Sequence, residues 1–286
     1  MKIILYTDRN KKDIRINDAI KNLHKYFANQ NEYEYKLKEY TEYEVSDIAI
    51  LWGIYCIHKD DTKFRKIIKY KQEKNKKKTL ILEVGFLNRD KYYSFGWNSI
   101  VNFGIYNPHN MPSDRFEKLN IQLNNNYINL SGNILLCGQI PTDTQLQHIN
   151  YEKWLFNIVN KIKLYSDKQI IYRPHPKLGK KKINNIPNTI KSLNLNLIDD
   201  FKNAYCVIAF NSNSLVDALL YGLPIFAFDS GSVVYEIANK LLENINNPIF
   251  PTNTDKIRIL SNIAYMQWNS NELSNGDAFK HILQTY

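Results

Sequence analysis

The segment IIYRPHPK, residues 170–177, runs from apolar positions straight into Arg173, His175 and Lys177, which two prolines hold apart. Proline fixes φ and cannot continue a helix, so the stretch is expected to leave its strand in an extended loop. Three potential cations at one strand end suit a phosphate or diphosphate leaving group. His175 would donate a hydrogen bond, and Arg173 or Lys177 would stabilise charge. A surface loop with its own partners is the competing reading.

A second segment, AFNSNSLVDALLYGLPIFAF at 209–228, reads as strand, turn, helix and strand. Ser212, Asn213 and Ser214 stand at the junction. There they cap the helix, and its first N–H groups make a ready anion site. Asp217 lies in the first turn, placed to accept ribose hydroxyls of a nucleotide; an acid that only complements the helix dipole is the alternative. Gly222 and Pro224 end the helix and open the next strand. Gly138 and Gln139, in GQIPTDTQL after another strand, resemble a tight donor-site turn.

In ILEVGFLNRD, residues 81–90, Glu83 ends a strand beside Gly85, where a backbone can approach a ligand. A carboxylate facing a phosphate site is placed to act as general base on an acceptor hydroxyl. Arg89 and Asp90, in the same loop, become acceptor-side candidates. The pairs Asp60-Asp61 and Asp199-Asp200 lack metal-ligand spacing, and no His/Cys cluster accompanies them, so no metal is expected. Cys56, Cys137 and Cys206 are far apart in apolar stretches and read as reduced core thiols.

The elements that must carry these residues are apolar runs at 2–6, 47–52, 79–83, 133–137, 169–172, 205–210 and 224–228. Helical spacing intervenes at 13–28, 62–74, 150–165 and 213–221. The alternation predicts βαβ units and parallel sheets in two series. We expect an α/β fold of two Rossmann-like domains facing a central cleft, a GT-B-like architecture. The N-terminal, acceptor-side domain spans 1–128 and the nucleotide-sugar-binding domain 129–270, with 271–286 packing back toward the first.

The formal net charge is +10 and the pI near 9.2, which suits an acidic partner: nucleic acid, an anionic glycan or a phosphorylated donor. The KNKKK run at 74–78 reads as a solvated surface. No apolar run is long enough to span a bilayer, and Asp8 and Arg9 end the first one too early for a signal peptide, so a cytoplasmic location is expected, that of the host if the chain is viral.

The segments LEVGFLNRD, GIYNPHNMPSD, GQIPTD, YRPHPK and NSNSLVDALLYGLP occur in the order and rough spacing of the capsule polysaccharide biosynthesis, Kdo-transferase-like, proteins. The chain resembles that group over about residues 80–230. The resemblance implies a glycosyltransferase with Glu83 as base and with His175, Ser212 and Ser214 on a UDP- or CMP-sugar donor, no cofactor being required. Val84 stands where the group has the second residue of an acidic pair, and Asp217 where it has Glu.

IAYMQWNSNELSNGDAFKHIL at 263–283 and SFGWNS at 94–99 are similar instead to glycosyltransferase-like proteins of bacteriophages and other viruses. That resemblance implies 5-hydroxymethylpyrimidine in duplex DNA as acceptor, met by Trp97, Trp268 and His281. Interdomain packing is the competing reading for these three. Transfer to a surface or capsule-like glycan is the alternative. A non-catalytic nucleotide- or DNA-binding module and a nucleotide-sugar epimerase of related shape are further alternatives.

Overall fold

The computed structural model describes residues 1–8, 13–54, 62–107, 109–178 and 186–285. It divides into two compact units, Met1–Leu119 with Arg258–Tyr286, and Asn120–Ile257.

The first unit begins with β1 (Lys2–Thr7), α1 (Ile14–Ala28), β2 (Glu34–Glu39), β3 (Ile48–Trp52), α2 (Lys63–Lys74), β4 (Lys78–Val84), β5 (Tyr92–Trp97) and α3 (Asp114–Lys118). The second holds β6 (Asn133–Cys137), α4 (Tyr151–Tyr165), β7 (Ile170–Arg173), β8 (Ile190–Lys191), α5 (Leu197–Phe201), β9 (Ala204–Ala209), α6 (Ser214–Tyr221) and β10 (Ile225–Ala227). Helix α7 (Asn253–Ala264) carries the chain back into the first unit, which ends with β11 (Gln267–Asn269), α8 (Ser270–Ser274) and α9 (Asp277–Leu283).

In the first sheet the order is β11-β5-β4-β3-β1-β2. Strands β1 to β4 run parallel, β5 turns antiparallel to β4, and β11 pairs antiparallel with β5. The second sheet, β10-β9-β6-β7-β8, is wholly parallel. Numbered within its unit it reads 3-2-1-4-5, the Rossmann order, whose switch point lies between β6 and β9. Each is a Rossmann-like α/β unit, as the strand and helix spacing predicts.

Both sheets are buried on two faces, so their central strands are near-continuous apolar runs. Every residue of β3 and β9 is buried. Helix α1 shows the matching amphipathic stripe: Ile16, Ala19, Ile20, Leu23 and Phe27 enter the core, and Asp13 caps its first turn by accepting from Arg15 N at 3.0 Å.

The sequence-based boundaries at 128 and 270 need correction. The structure ends the first segment of the first unit at Leu119 and returns 258–270 to that unit, where Trp268 shares the core with Leu273, Phe279 and Ile282. Among the described residues, no helix is long and apolar enough to cross a membrane.

Candidate functional site

In the second unit, the carboxyl ends of β6, β7, β9 and β10 bring four loops to one sheet edge: Cys137 pairs with Arg173, Leu136 with Ile208, and Ala227 with Ala209. Ligands of open parallel sheets bind outside such an edge, at the switch point.

Gly138 and Gln139 leave β6 there. A Cβ at Gly138 would stand 2.6 Å from the Tyr172 hydroxyl, so the turn admits only glycine without displacement. That hydroxyl is buried and has no hydrogen-bond partner among the described residues, and burial pushes it up to about 12. The Gln139 side chain does not face solvent; it spans the switch point. Its Nε2 donates to Asn211 Oδ1 at 2.7 Å, and its Oε1 accepts from Asn211 N at 3.1 Å. Asn211 Nδ2 donates in turn to Asp229 Oδ1 at 2.7 Å, and Asp229 Oδ2 lies 3.0 Å from His148 Nε2. The loops after β6, β9 and β10 are therefore tied by one chain of side-chain bonds.

Directly beyond Asn211 come Ser212, Asn213 and Ser214, all half-buried, at the start of α6. The Ser214 hydroxyl donates to Ser212 Oγ at 3.0 Å, and Ser212 Oγ accepts from Ser214 N at 3.3 Å. Asn213 occupies the N-cap position with helical φ and ψ and makes no side-chain cap bond. The first-turn amides of Leu215 and Val216 already donate to Ser212 O at 3.1 Å and Asn213 O at 2.9 Å. This corrects the expectation of open N–H groups: the helix start offers two hydroxyls and the positive end of its dipole. Asp217 is half-buried in that turn. Beneath it, burial pushes the Cys137 thiol up to about 12, against the opposing effect of the Ser214 hydroxyl. Cys137 and Cys206 are free, buried thiols.

The three cations after β7 do not converge. Arg173 forms an ion pair with buried Asp200 and donates to Asn194 O at 3.0 Å and Leu195 O at 2.8 Å. Ser192 and Asn194 donate to the same carboxylate at 2.7 and 2.8 Å. A guanidinium so committed holds the β8–α5 connection, and its expected role as charge stabiliser is corrected to a structural one. Lys177 is exposed in a single helical turn. His175 is half-buried, and its Nδ1 accepts from Lys177 N at 3.1 Å. In the neutral ring this leaves the proton on Nε2, which makes that nitrogen a donor.

In the first unit, Glu83 is half-buried at the end of β4, its Oε1 accepting from Val84 N at 2.9 Å. It stands beside Gly53, whose φ is +60°: a Cβ there would lie 3.2 Å from Glu83 Oε2 and 3.4 Å from Arg65 Nη1. A carboxylate and a buried guanidinium thus flank one glycine at the carboxyl edge of β3 and β4.

Gly85 does not open toward a ligand as expected. A Cβ would meet Tyr92 O at 2.8 Å and Gln267 Oε1 at 2.9 Å, because Gln267 reaches from β11 to accept from Phe86 N and Leu87 N, both at 2.8 Å. Arg89 is exposed and turned back, its Nε donating to Gly85 O at 3.0 Å. Asp90 is exposed on the rim of a surface cavity of about 450 Å³ that Arg15, Asp18 and Tyr93 also line.

Trp97 is corrected from acceptor-side residue to core: it is buried, and its Nε1 donates to Ile282 O at 3.1 Å and Thr285 Oγ1 at 2.9 Å. Trp268 is likewise buried, with Arg115 stacked 4.1 Å over its ring. His281 packs on Trp268, 5.1 Å between ring centroids, and burial lowers its pKa. All three lie within the first unit. Asp199 is paired with Lys202, and among the described residues no group of three His, Cys, Asp or Glu could hold a metal. Cys56, Asp60 and Asp61 lie outside the described residues.

Two solved structures share this architecture. The β-Kdo 2,7 transferase of KpsC from Thermosulfurimonas dismutans matches with a TM-score of 0.51 over 100% of both chains, at 11% identity. The β-Kdo 2,4 transferase of the same protein matches with 0.55, over 91% of this chain and 90% of that one, also at 11%. The chain has the fold of the KpsC Kdo transferases. At such identity the likeness is one of fold, GT-B-like with two Rossmann-like units. No protein-family model and no curated protein matches the sequence.

The sequence reading missed Asn211, Asp229 and His148 as partners of Gln139, and Gly53 and Arg65 as neighbours of Glu83. A local signal existed for one of them: Asn211 opens the NSNS turn. The others become neighbours only through the sheets.

Proposed function

We propose that this chain is a glycosyltransferase that moves a sugar from a UDP- or CMP-sugar to a hydroxyl of a surface or capsule-like polysaccharide. The observation that carries the reading is the switch-point assembly, in which Gln139 and Asn211 lock the β6 and β9 loops and so fix the Ser212–Ser214 helix start. Preorganised donors and a dipole aimed at a departing phosphate are the largest single contribution available to such a reaction.

In this reading His175 Nε2 donates to a donor phosphate oxygen, while the Ser212 and Ser214 hydroxyls and the positive end of α6 take up charge beside it. Asp217 accepts from the ribose. The bond between the anomeric carbon and the phosphate oxygen breaks, the nucleotide leaves with its electron pair, and the acceptor oxygen bonds the anomeric carbon. The resemblance to the Kdo-transferase-like proteins assigns the acceptor proton to Glu83 of the first unit. The helix start and His175 supply what a metal would otherwise contribute to the leaving group, so the reading needs none.

The likeness to two Kdo transferases favours a glycan acceptor. Hydroxymethylpyrimidine DNA has no support from the comparisons, and two of the residues expected to meet it, Trp97 and Trp268, are core. The test is nucleotide release from labelled donor sugars with capsule-type oligosaccharides or hydroxymethylated duplex DNA as acceptors. Product on the oligosaccharide, reduced at least about a hundredfold in Glu83→Gln, supports the reading; product on DNA alone, or undiminished turnover in Glu83→Gln, contradicts it.

A further inference from the structure

The basic run that ends α2 belongs to a surface that the sugar-transfer reading leaves unused. Between Lys63 and Lys78 the chain carries eight lysines and one glutamate. Helix α2 buries Arg65, Ile68 and Gln72 against the first sheet, and its opposite face carries exposed Lys63, Lys66, Ile67, Tyr70, Lys71 and Lys74. Positions 63, 66, 67, 70 and 74 follow the helical repeat, so cations and two large apolar side chains share one stripe.

Ile67 is 42% exposed and Tyr70 63% exposed. Gln72 ties the adjoining loop to the helix by donating to Ser46 O at 3.1 Å, and Lys71 lies 4.9 Å over the Tyr43 ring. That loop presents Val45, 43% exposed. Lys76 extends the positive charge past the helix end.

We propose that this face of α2 docks on an anionic phospholipid surface. Lysines flanking an exposed aliphatic and an aromatic side chain on one face are the composition of an interfacial helix: the apolar groups enter the boundary of headgroups and acyl chains while the ammonium groups meet the lipid phosphates. A nucleic-acid backbone would match the lysines but would leave Ile67 without apolar contact, so the combination favours the bilayer. The short apolar stripe gives adsorption rather than insertion. It stands independently of the sugar-transfer reading, because none of these residues has a role there.

Vesicle flotation tests it with the full chain, using phosphatidylcholine vesicles and mixed phosphatidylcholine–phosphatidylglycerol vesicles. The protein is expected to float with the mixed vesicles and not the neutral ones, and to be released by salt. Each change of Lys63, Lys66 or Lys74 to Gln should weaken partitioning about fivefold. The pair Ile67→Ser and Tyr70→Ser should also weaken it, with an unchanged melting temperature. Failure of the wild-type chain to float with anionic vesicles overturns the proposal. So does an Ile67→Ser, Tyr70→Ser variant that floats as well as wild type, or binding to duplex DNA, sensitive to the lysine changes, in place of binding to vesicles.

Discussion

Gln139 and Asn211, 72 positions apart in the chain, share two hydrogen bonds of 2.7 and 3.1 Å across the point where the second sheet reverses its strand order. Both side chains are buried. A buried amide that loses its partner keeps its desolvation cost without the compensating bond.

Gln139→Leu therefore strands Asn211 N and Asn211 Oδ1 and should lower stability by about 1–3 kcal/mol. Donor binding should weaken further than stability alone explains, because Ser212 follows Asn211 directly. Urea melts and donor titrations on the same variant separate the two effects. A variant of normal stability and affinity would show that the clamp has no part in shaping the site.

The terminal A-x-x-Q-W segment has a structural account. Gln267 is fully buried and holds the Phe86 and Leu87 amides, and Arg115 pairs with Glu272 while lying over Trp268. Gln267→Leu leaves two amides unpaired and should cost about 2–4 kcal/mol. Arg115→Met should cost about 2 kcal/mol: Glu272 keeps Asn269 N as a partner, but it loses the guanidinium, and Ala264 O and Gln267 O lose their donor. Thermal or urea unfolding checks both. Wild-type stability in either variant would return this segment to a functional role.

His281 gives a pH dependence. Burial lowers its pKa from 6.5, and the nearby charge of Arg115 adds to that. The folded chain thus binds fewer protons than the unfolded chain once the pH falls below 6.5, so stability is full above that value and declines as the pH drops toward the folded pKa. Between pH about 6.5 and about 5, before most carboxylates titrate, His281→Asn should flatten the decline. Melting temperatures of both proteins across that window test it; parallel curves would contradict it.

Much of this architecture was legible in the sequence because its strands are buried on both faces. The runs at 2–6, 47–52, 79–83 and 133–137 coincide closely with β1, β3, β4 and β6. The edge strands β2 and β11 were not legible, EYKLKE being half exposed and β11 only three residues long, and neither was β5 between β11 and β4, which contains Gly96. Pairing of polar groups was illegible for a different reason. Arg173 looked like a ligand cation since its partner, Asp200, sits 27 positions away and is reached only through the sheet. Trp97 entered as an acceptor-side residue through the resemblance of SFGWNS, yet the C-terminal helix covers it.

The central claim is that the carboxyl edge of the second sheet holds a nucleotide-sugar, and the melting temperature in the presence of UDP-, CMP-, GDP- and dTDP-sugars tests it most directly. We predict that one nucleotide class, UDP or CMP, raises the melting temperature of the wild-type chain by several degrees at saturating concentration, and that His175→Ala, folded and equally stable without ligand, loses the shift. Absence of any shift with all four classes, or a shift unchanged in His175→Ala, would contradict it.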